Sequence, residues 1–487
     1  MQGRPRFAVL GFVALAVTAA GWGCNPADVA QAVSDALQDC SVAGENDFVR
    51  TTLRDIYYWY KELPDPDPKS FSSPEAYLEA VRYKTLDHTY SFITDRASND
   101  AFFSDSQFIG YGFASTLVTN DDWRVTEVYP ASPASEAGLE RGAHILVVNG
   151  RPLASLVSTG DINTIFGPST VGVVATMQFR DVGGTVHDVQ MTKRTVTIPT
   201  ASLTRTFASG GRVVGYINFR NFVTPATAAL DQAFAQLESA GANELVLDLR
   251  YNGGGLVSVA QQLASLIGGS RTNGKLFVQF VHNDKNTSKN STLTMNMPAH
   301  ALNLERLVVI YTRGSASASE LIWNGLRPFI PVTTVGDRSY GKPVGQYGYN
   351  FCDKVLYPVA FSTQNARGEG GYFDGIAPDC PAADDLEHPL GDSAEASLSV
   401  ISLPSPSATG ASSGCVSVGA NDEVIGSTMA AATPARSGGS GIRSAIAAMR
   451  VGSCSVLRRS KNAAISCSKA ATVAPTCWTR DSTTRPC

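Results

Sequence analysis

The chain has 487 residues, 43% of them hydrophobic and 17% charged, with a formal net charge of −4. That length suffices for about three domains and a large core, and no basic, aromatic-studded strip points to a nucleic-acid partner. The six histidines (His88, His144, His187, His282, His300, His388) are dispersed and no C-x-x-C occurs, so neither a metal nor a cofactor is expected.

In chain order, Arg4 and Arg6 precede an apolar run from Phe7 to Ala20, too short for a membrane span and suited to a secretion signal over residues 1–24. Two processing readings stay open. Small residues at Ala14, Ala16, Thr18 and Ala20 permit ordinary cleavage, whereas Gly21, Trp22, Gly23, Cys24 form a degenerate lipobox, with lipidation and membrane attachment at Cys24. Both predict an exported protein, periplasmic or held at the cell envelope.

Residues 41–104 read as a helical N-terminal region. Phe48, Leu53, Ile56, Tyr57 and Tyr60 fall near helical spacing between Asn46 and Leu63, ahead of Pro64, Pro66 and Pro68, and a second helix is predicted from Ser73 to Tyr83. Residues 105–197 change to short strands and turns. There Gly110, Tyr111, Gly112 and Phe113 resemble the carboxylate-binding loop of a PDZ domain, and the run from Ser132 to Leu153 resembles that domain's helix, strand and turn. Such a loop holds a peptide's terminal carboxylate on backbone N–H groups while the peptide adds to a sheet edge. In place of the usual Gly-Asp the chain has Gly142, Ala143 and His144.

Residues 198–398 alternate strands with helices, so a mixed α/β fold with a mixed sheet is expected. Residues 399–487 are rich in Ser, Ala, Thr and Gly and carry five of the nine cysteines, a composition that does not bury a core and reads as disordered. Only residues 441–454 suggest a helix there.

Three segments of the α/β region carry chemistry. Asp248 to Gly255 (DLRYNGGG) leaves a strand in three glycines that can bring N–H groups against a ligand. In SASASE, Ser315 to Glu320, Ser317 is flanked by small residues at a helix start, where N–H groups favour developing negative charge. Lys342, in YGKPVGQ, is a candidate base for that hydroxyl. The plain alternative is a Ser317–Glu320 capping box beside a solvated turn lysine. Gly336 to Lys342 also reads G-x-x-x-x-G-K, yet Pro343 supplies neither hydroxyl nor N–H and the next residues do not look helical, which argues against a phosphate-binding loop.

Together with GYINFRNF (Gly215 to Phe222) and DGIAPD (Asp374 to Asp379), these segments occur in the order found in C-terminal processing peptidases, also called tail-specific proteases. Residues 41–398 resemble that family. The resemblance implies Ser317 as nucleophile, Lys342 as general base and Gln346 as the group orienting the lysine. It implies an oxyanion hole from the N–H of Ala318 and one of Gly254 or Gly255, with Glu320 and Ser339 in support, and protein or peptide substrates with free C-termini. The lysine turn departs from the family's frequent Thr-Phe-Gly-Lys-Gly, reading Ser339, Tyr340, Gly341, Lys342, Pro343. A non-catalytic binder of hydrophobic ligands or peptides on the same fold is the alternative from another class. Cys352 and Cys380 flank the segment after the lysine and are the expected disulfide, worth roughly 3–4 kcal/mol in the chain-entropy account.

Overall fold

A computed structural model describes residues 39–209 and 211–401. The expected signal segment with Cys24, and the tail beyond residue 401 with its expected helix at 441–454, lie outside the described residues.

The N-terminal region opens with α1 (Val42–Ile56), capped by Ser41, whose hydroxyl accepts the Gly44 N–H. The helix stops seven residues short of Leu63, where the sequence pattern ran on to the prolines. Tertiary partners end it: the Tyr58 N–H bonds Val359 O at 2.8 Å, and the Tyr57 hydroxyl reaches Asp87 at 2.9 Å. Next come α2 (Pro74–Val81), capped by Ser73, then β1 (Phe92–Asp95) and α3 (Arg96–Asp105).

The chain then enters a smaller β unit through β2 (Gln107–Gly110). It contains β3 (Phe113–Thr119), β4 (Asp122–Val128), α4 (Pro133–Glu136), β5 (His144–Val148), β6 (Arg151–Pro152), α5 (Leu153–Thr159), β7 (Val174–Arg180) and β8 (Val186–Thr192). Strands β3-β4-β5-β7-β8 form one antiparallel sheet over a separate core built on Phe113, Trp123, Ile145, Phe166 and Phe179. The exit strand β9 (Arg194–Thr197) pairs with β2, so entry and exit leave side by side.

The larger part comprises β10 (Ala201–Ser209), β11 (Arg212–Phe219), α6 (Ala226–Ser239), β12 (Glu244–Asp248), α7 (Val257–Gly268), β13 (Leu276–His282), β14 (Ser291–Thr294), β15 (Leu307–Tyr311), α8 (Ala318–Leu326) and β16 (Val332–Gly336). After it follow β17 (Val344–Gln346), β18 (Tyr349–Phe351), β19 (Lys354–Tyr357), β20 (Val359–Gln364), β21 (Cys380–Pro381) and α9 (Ala396–Ser399). A six-stranded sheet runs β10-β11-β12-β15-β16-β21, parallel except for the β10–β11 pair. Its strands alternate by the two-residue period. Ile217, Phe219, Leu245, Leu247, Val309 and Tyr311 face α6, α7 and α8, whereas Val214, Tyr216, Val246, Val308 and Ile310 face a second apolar layer with Val335 and Leu398.

A four-stranded antiparallel sheet, β14-β13-β20-β17, stands beside this one, and β18–β19 pairs with β1. As a result the N-terminal region has no core of its own: Val49, Leu53, Tyr57, Leu78, Tyr90 and Ile93 share one with Val344, Phe351, Leu356 and Val359. The mixed α/β class expected from the sequence is the one found. No helix among the described residues is long and apolar enough to cross a membrane.

The expected Cys352–Cys380 pairing is wrong. Cys352 is bonded to Cys40, with the Cα atoms 5.8 Å apart, and Cys380 is engaged in a different disulfide. Nearness in sequence misled because the chain separates after β17. Cys352 sits in the β18–β19 turn beneath α1, while Cys380 begins β21 at the edge of the six-stranded sheet.

Candidate active site

The parallel sheet explains why three distant motifs meet. The glycine run follows β12, Ser317 follows β15 and the lysine turn follows β16; these strands are adjacent, in register Asp248–Ile310 and Tyr311–Gly336. All three loops therefore leave the same, carboxyl, end of the sheet, where α/β sheets place their ligands.

Ser317 is the residue before α8 and has φ 56° and ψ −116°, a backbone conformation that costs a non-glycine residue about 1–3 kcal/mol. Glu320 holds it there. Its fully buried carboxylate takes the Ser317 N–H on Oε2 at 2.9 Å and, on the same oxygen, the Lys342 N–H at 2.8 Å. Oε1 takes the Gly341 N–H at 2.8 Å and the Ser339 hydroxyl at 2.6 Å. Since Oε2 is shared, the amide nitrogens of Ser317 and Lys342 are separated by no more than the sum of those two bonds. Burial pushes the Glu320 carboxyl up, against the Ser339 hydroxyl and the three N–H groups. With two donors on each oxygen, it functions as a carboxylate. Charge-assisted bonds of about 1.5–3 kcal/mol each offset a desolvation cost of several kcal/mol.

The lysine is held from both ends. Below it, the Ser339 hydroxyl accepts the Ile376 N–H at 2.8 Å, which docks the DGIAPD segment under the turn. A Cβ on Gly341 would stand 2.4 Å from the Gly375 nitrogen, so glycine is required where these loops cross. At the amine end, Lys342 Nζ donates to Gln346 Oε1 at 2.5 Å. Gln346 Nε2 donates to Tyr90 O at 2.6 Å and Tyr357 O at 2.8 Å; with both amide hydrogens used, only the oxygen can face the lysine. Desolvation lowers the Lys342 pKa to about 8, against the charges of Asp87 and Glu320. The segment after Lys342 is the strand β17 and not the helix that a phosphate-binding loop would lead into. Pro343, which lacks an N–H, contributes its carbonyl to the Thr363 N–H and hydroxyl, both at 3.0 Å.

The glycine run lies against Ser317. A Cβ on Gly254 would stand 2.9 Å from both Ser317 Cβ and the Ala318 nitrogen. The Gly254 N–H is already bonded to Asn252 Oδ1 at 2.9 Å. Gly255 bridges Phe222, with Phe222 N–H on Gly254 O and Leu256 N–H on Phe222 O; strand alternation turns the Gly255 N–H to the other side, away from Phe222. Asn252, which the motif reading passed over, also takes the Ala316 N–H and Ser319 hydroxyl on its carbonyl and bonds Phe219 O through its amide. It is the clasp between the two loops. Asp248 and Arg250 form a fully buried pair at 2.6 Å, backed by Glu395, and hold the run's first residues to the sheet.

Gly110 to Phe113 lie at the mouth of the smaller β unit. Tyr111 and Phe113 point into its core, the carbonyls of Tyr111 and Gly112 accept the Ala134 and Tyr129 N–H groups, and Gly112 has φ 89°. The N–H groups of Tyr111 and Gly112 have no acceptor among the described residues. This unit touches the site's edge through Arg141, which donates to the Tyr251 hydroxyl at 2.8 Å and to Asp384 at 3.0 Å. No histidine among the described residues is hydrogen-bonded to Ser317 or Lys342; five are engaged elsewhere and His88 is exposed.

Residues 213–382 match the sequence model of Peptidase family S41, and residues 44–92 match that of the Peptidase S41 N-terminal domain. It is 24% identical over 318 residues to a probable CtpA-like serine protease of Staphylococcus saprophyticus, covering 64% of this chain and 62% of that protein. A probable CtpA-like serine protease of Staphylococcus aureus is 25% identical over 319 residues, covering 65% and 61%. The chain thus spans less than two thirds of the length of these relatives. The crystal structure of a candidate S41 protease from Bacteroides fragilis superposes with a TM-score of 0.60 at 26% identity, over 72% of this chain and 95% of that one.

Glu320 yields a direct test. In Glu320→Gln one acceptor oxygen becomes an NH2 that must face two donors, so the Ser317 and Lys342 turns lose their common anchor. We expect labelling of Ser317 by a fluorophosphonate probe to slow by about 100-fold, with a lower melting temperature. Unchanged labelling would mean that Glu320 only caps α8.

Proposed function

We propose that the chain is a serine endopeptidase in which Ser317 is the nucleophile and Lys342 the general base. The observation that carries the reading is the environment of Lys342: an amine lowered to about 8 by desolvation, held by a neutral amide oxygen and tied through Glu320 to the Ser317 turn. At neutral pH about one such lysine in ten is uncharged, against fewer than one in a thousand for a free lysine. A glutamine suits this role, since a carboxylate there would stabilise the ammonium.

In the proposed cycle Ser317 Oγ attacks the scissile carbonyl as its proton passes to Lys342 Nζ. The oxyanion is met by the N–H groups of Ala318, at the start of α8, and of Gly255, because that of Gly254 is committed to Asn252. Lys342 then returns the proton to the leaving amine, and a water deprotonated by the same lysine releases the acyl group. The β unit of residues 105–197 acts as a PDZ domain that takes the substrate's free C-terminus on the N–H groups of the 110–113 loop. The protein works after export, in the periplasm or cell envelope, on protein substrates.

The base determines the pH dependence. Protonated Lys342 cannot accept a proton, so kcat/KM on an unstructured protein is expected to rise with pH through about 8 and to be insensitive to chelators. Ser317→Ala and Lys342→Ala fall to background while folded, and Lys342→Arg does too, because a guanidinium stays protonated. Normal turnover in folded Lys342→Ala, with loss in a histidine variant, would move the base to that histidine.

The C-terminal preference is tested with substrate pairs that differ only in a free or amidated terminus. The free acid is expected to be cleaved faster, since amidation removes the charge that the loop would hold. Equal rates would leave this unit a structural cover.

A further inference from the structure

One buried carboxylate has no part in the cycle above. Asp87 is fully buried and lies between α2 and β1, some 250 residues before the lysine. Its Oδ1 accepts the Tyr90 N–H at 2.8 Å and the Ser91 N–H at 2.9 Å, and its Oδ2 accepts the Tyr57 hydroxyl at 2.9 Å. The segment so fixed touches the lysine turn three times. Tyr90 O takes one amide hydrogen of Gln346, the Tyr90 hydroxyl bonds Gly341 O at 2.5 Å, and the Thr89 and Tyr340 hydroxyls pair at 2.8 Å. The Tyr90 ring lies 5.9 Å from Lys342 Nζ.

We propose that Asp87 is a positioning residue for the lysine: by fixing the Tyr90 backbone it aims the Tyr90 carbonyl at Gln346, which turns the Gln346 oxygen onto Lys342. The inference rests on the reading of Lys342 as base. Without the Tyr90 carbonyl one amide hydrogen of Gln346 loses its acceptor, and the glutamine is free to flip and present NH2 to the amine. Asp87 and Glu320 are also the two carboxylates whose charges act on Lys342, one from the N-terminal segment and one from α8, both favouring the ammonium. A group that merely fastened the loop would leave the lysine's titration where it is.

The experiment follows fluorophosphonate labelling of Ser317 and hydrolysis of an unstructured casein across pH in the full chain, with melting temperatures. Asp87→Ala is expected to slow both by about 10- to 100-fold with KM changed less than about twofold. Asp87→Asn keeps an acceptor for the two N–H groups and removes the charge, so it carries the test if Asp87→Ala does not fold. It should retain the high-pH plateau within about threefold while its limb moves to lower pH, because the lysine loses a charge that favoured its protonated form. An Asp87→Asn limb that coincides with wild type, or a folded Asp87→Ala with wild-type rates, overturns the proposal. The underlying reading fails separately, if Lys342→Ala labels as fast as wild type.

Discussion

The site depends on one buried carboxylate with four donors. Glu320 gathers the backbone of the Ser317 turn and of the lysine turn onto a single side chain. Neither turn is regular structure, and Ser317 is held in a conformation that favours glycine. A loop in that state persists only when its surroundings over-determine it. Here they do so through charge-assisted bonds to a fully buried carboxylate. The sheet brings the turns near each other by ending β15 and β16 side by side, and Glu320 converts that nearness into a fixed relation.

A second constraint acts on the amine. The lysine lies where two sheets and the N-terminal region converge, so desolvation outweighs the two carboxylates that would keep it charged. The N-terminal region is thereby part of the site: its core is shared with β17 to β20, and its Tyr90 carbonyl accepts an amide hydrogen of Gln346. Residues 44–92, which match the Peptidase S41 N-terminal domain, lie in this region. The Cys40–Cys352 disulfide fastens the same junction from outside.

That Ser317, Glu320, Lys342 and Gln346 come together was legible because Ser317 and Lys342 stand out by residue type and the family resemblance adds the other two. Gln346 in particular sits four residues after the lysine that it contacts. The alternation of strands and helices in the α/β region was legible from periodicity. Asp87 and Tyr90 were not, because they act on Gln346 and Gly341 through a backbone carbonyl and a hydroxyl across some 250 residues, and a carbonyl carries no sequence signal. Asn252 was hidden inside a motif read for its glycines. The end of α1 and the partner of Cys352 were misjudged for a common reason: both are decided by how β18 to β20 fold back against the N-terminal region, which local pattern does not encode.

The central claim is that Lys342 is uncharged often enough at neutral pH to act as a base, and its own titration tests this most directly. Competitive acetylation of the folded Ser317→Ala protein over a pH series, with Lys342 followed by mass spectrometry, reports that titration without any substrate. The account predicts a midpoint near the value of about 8 that desolvation gives. A midpoint near the free-lysine value of about 10.4, shared with the exposed lysines, would contradict it.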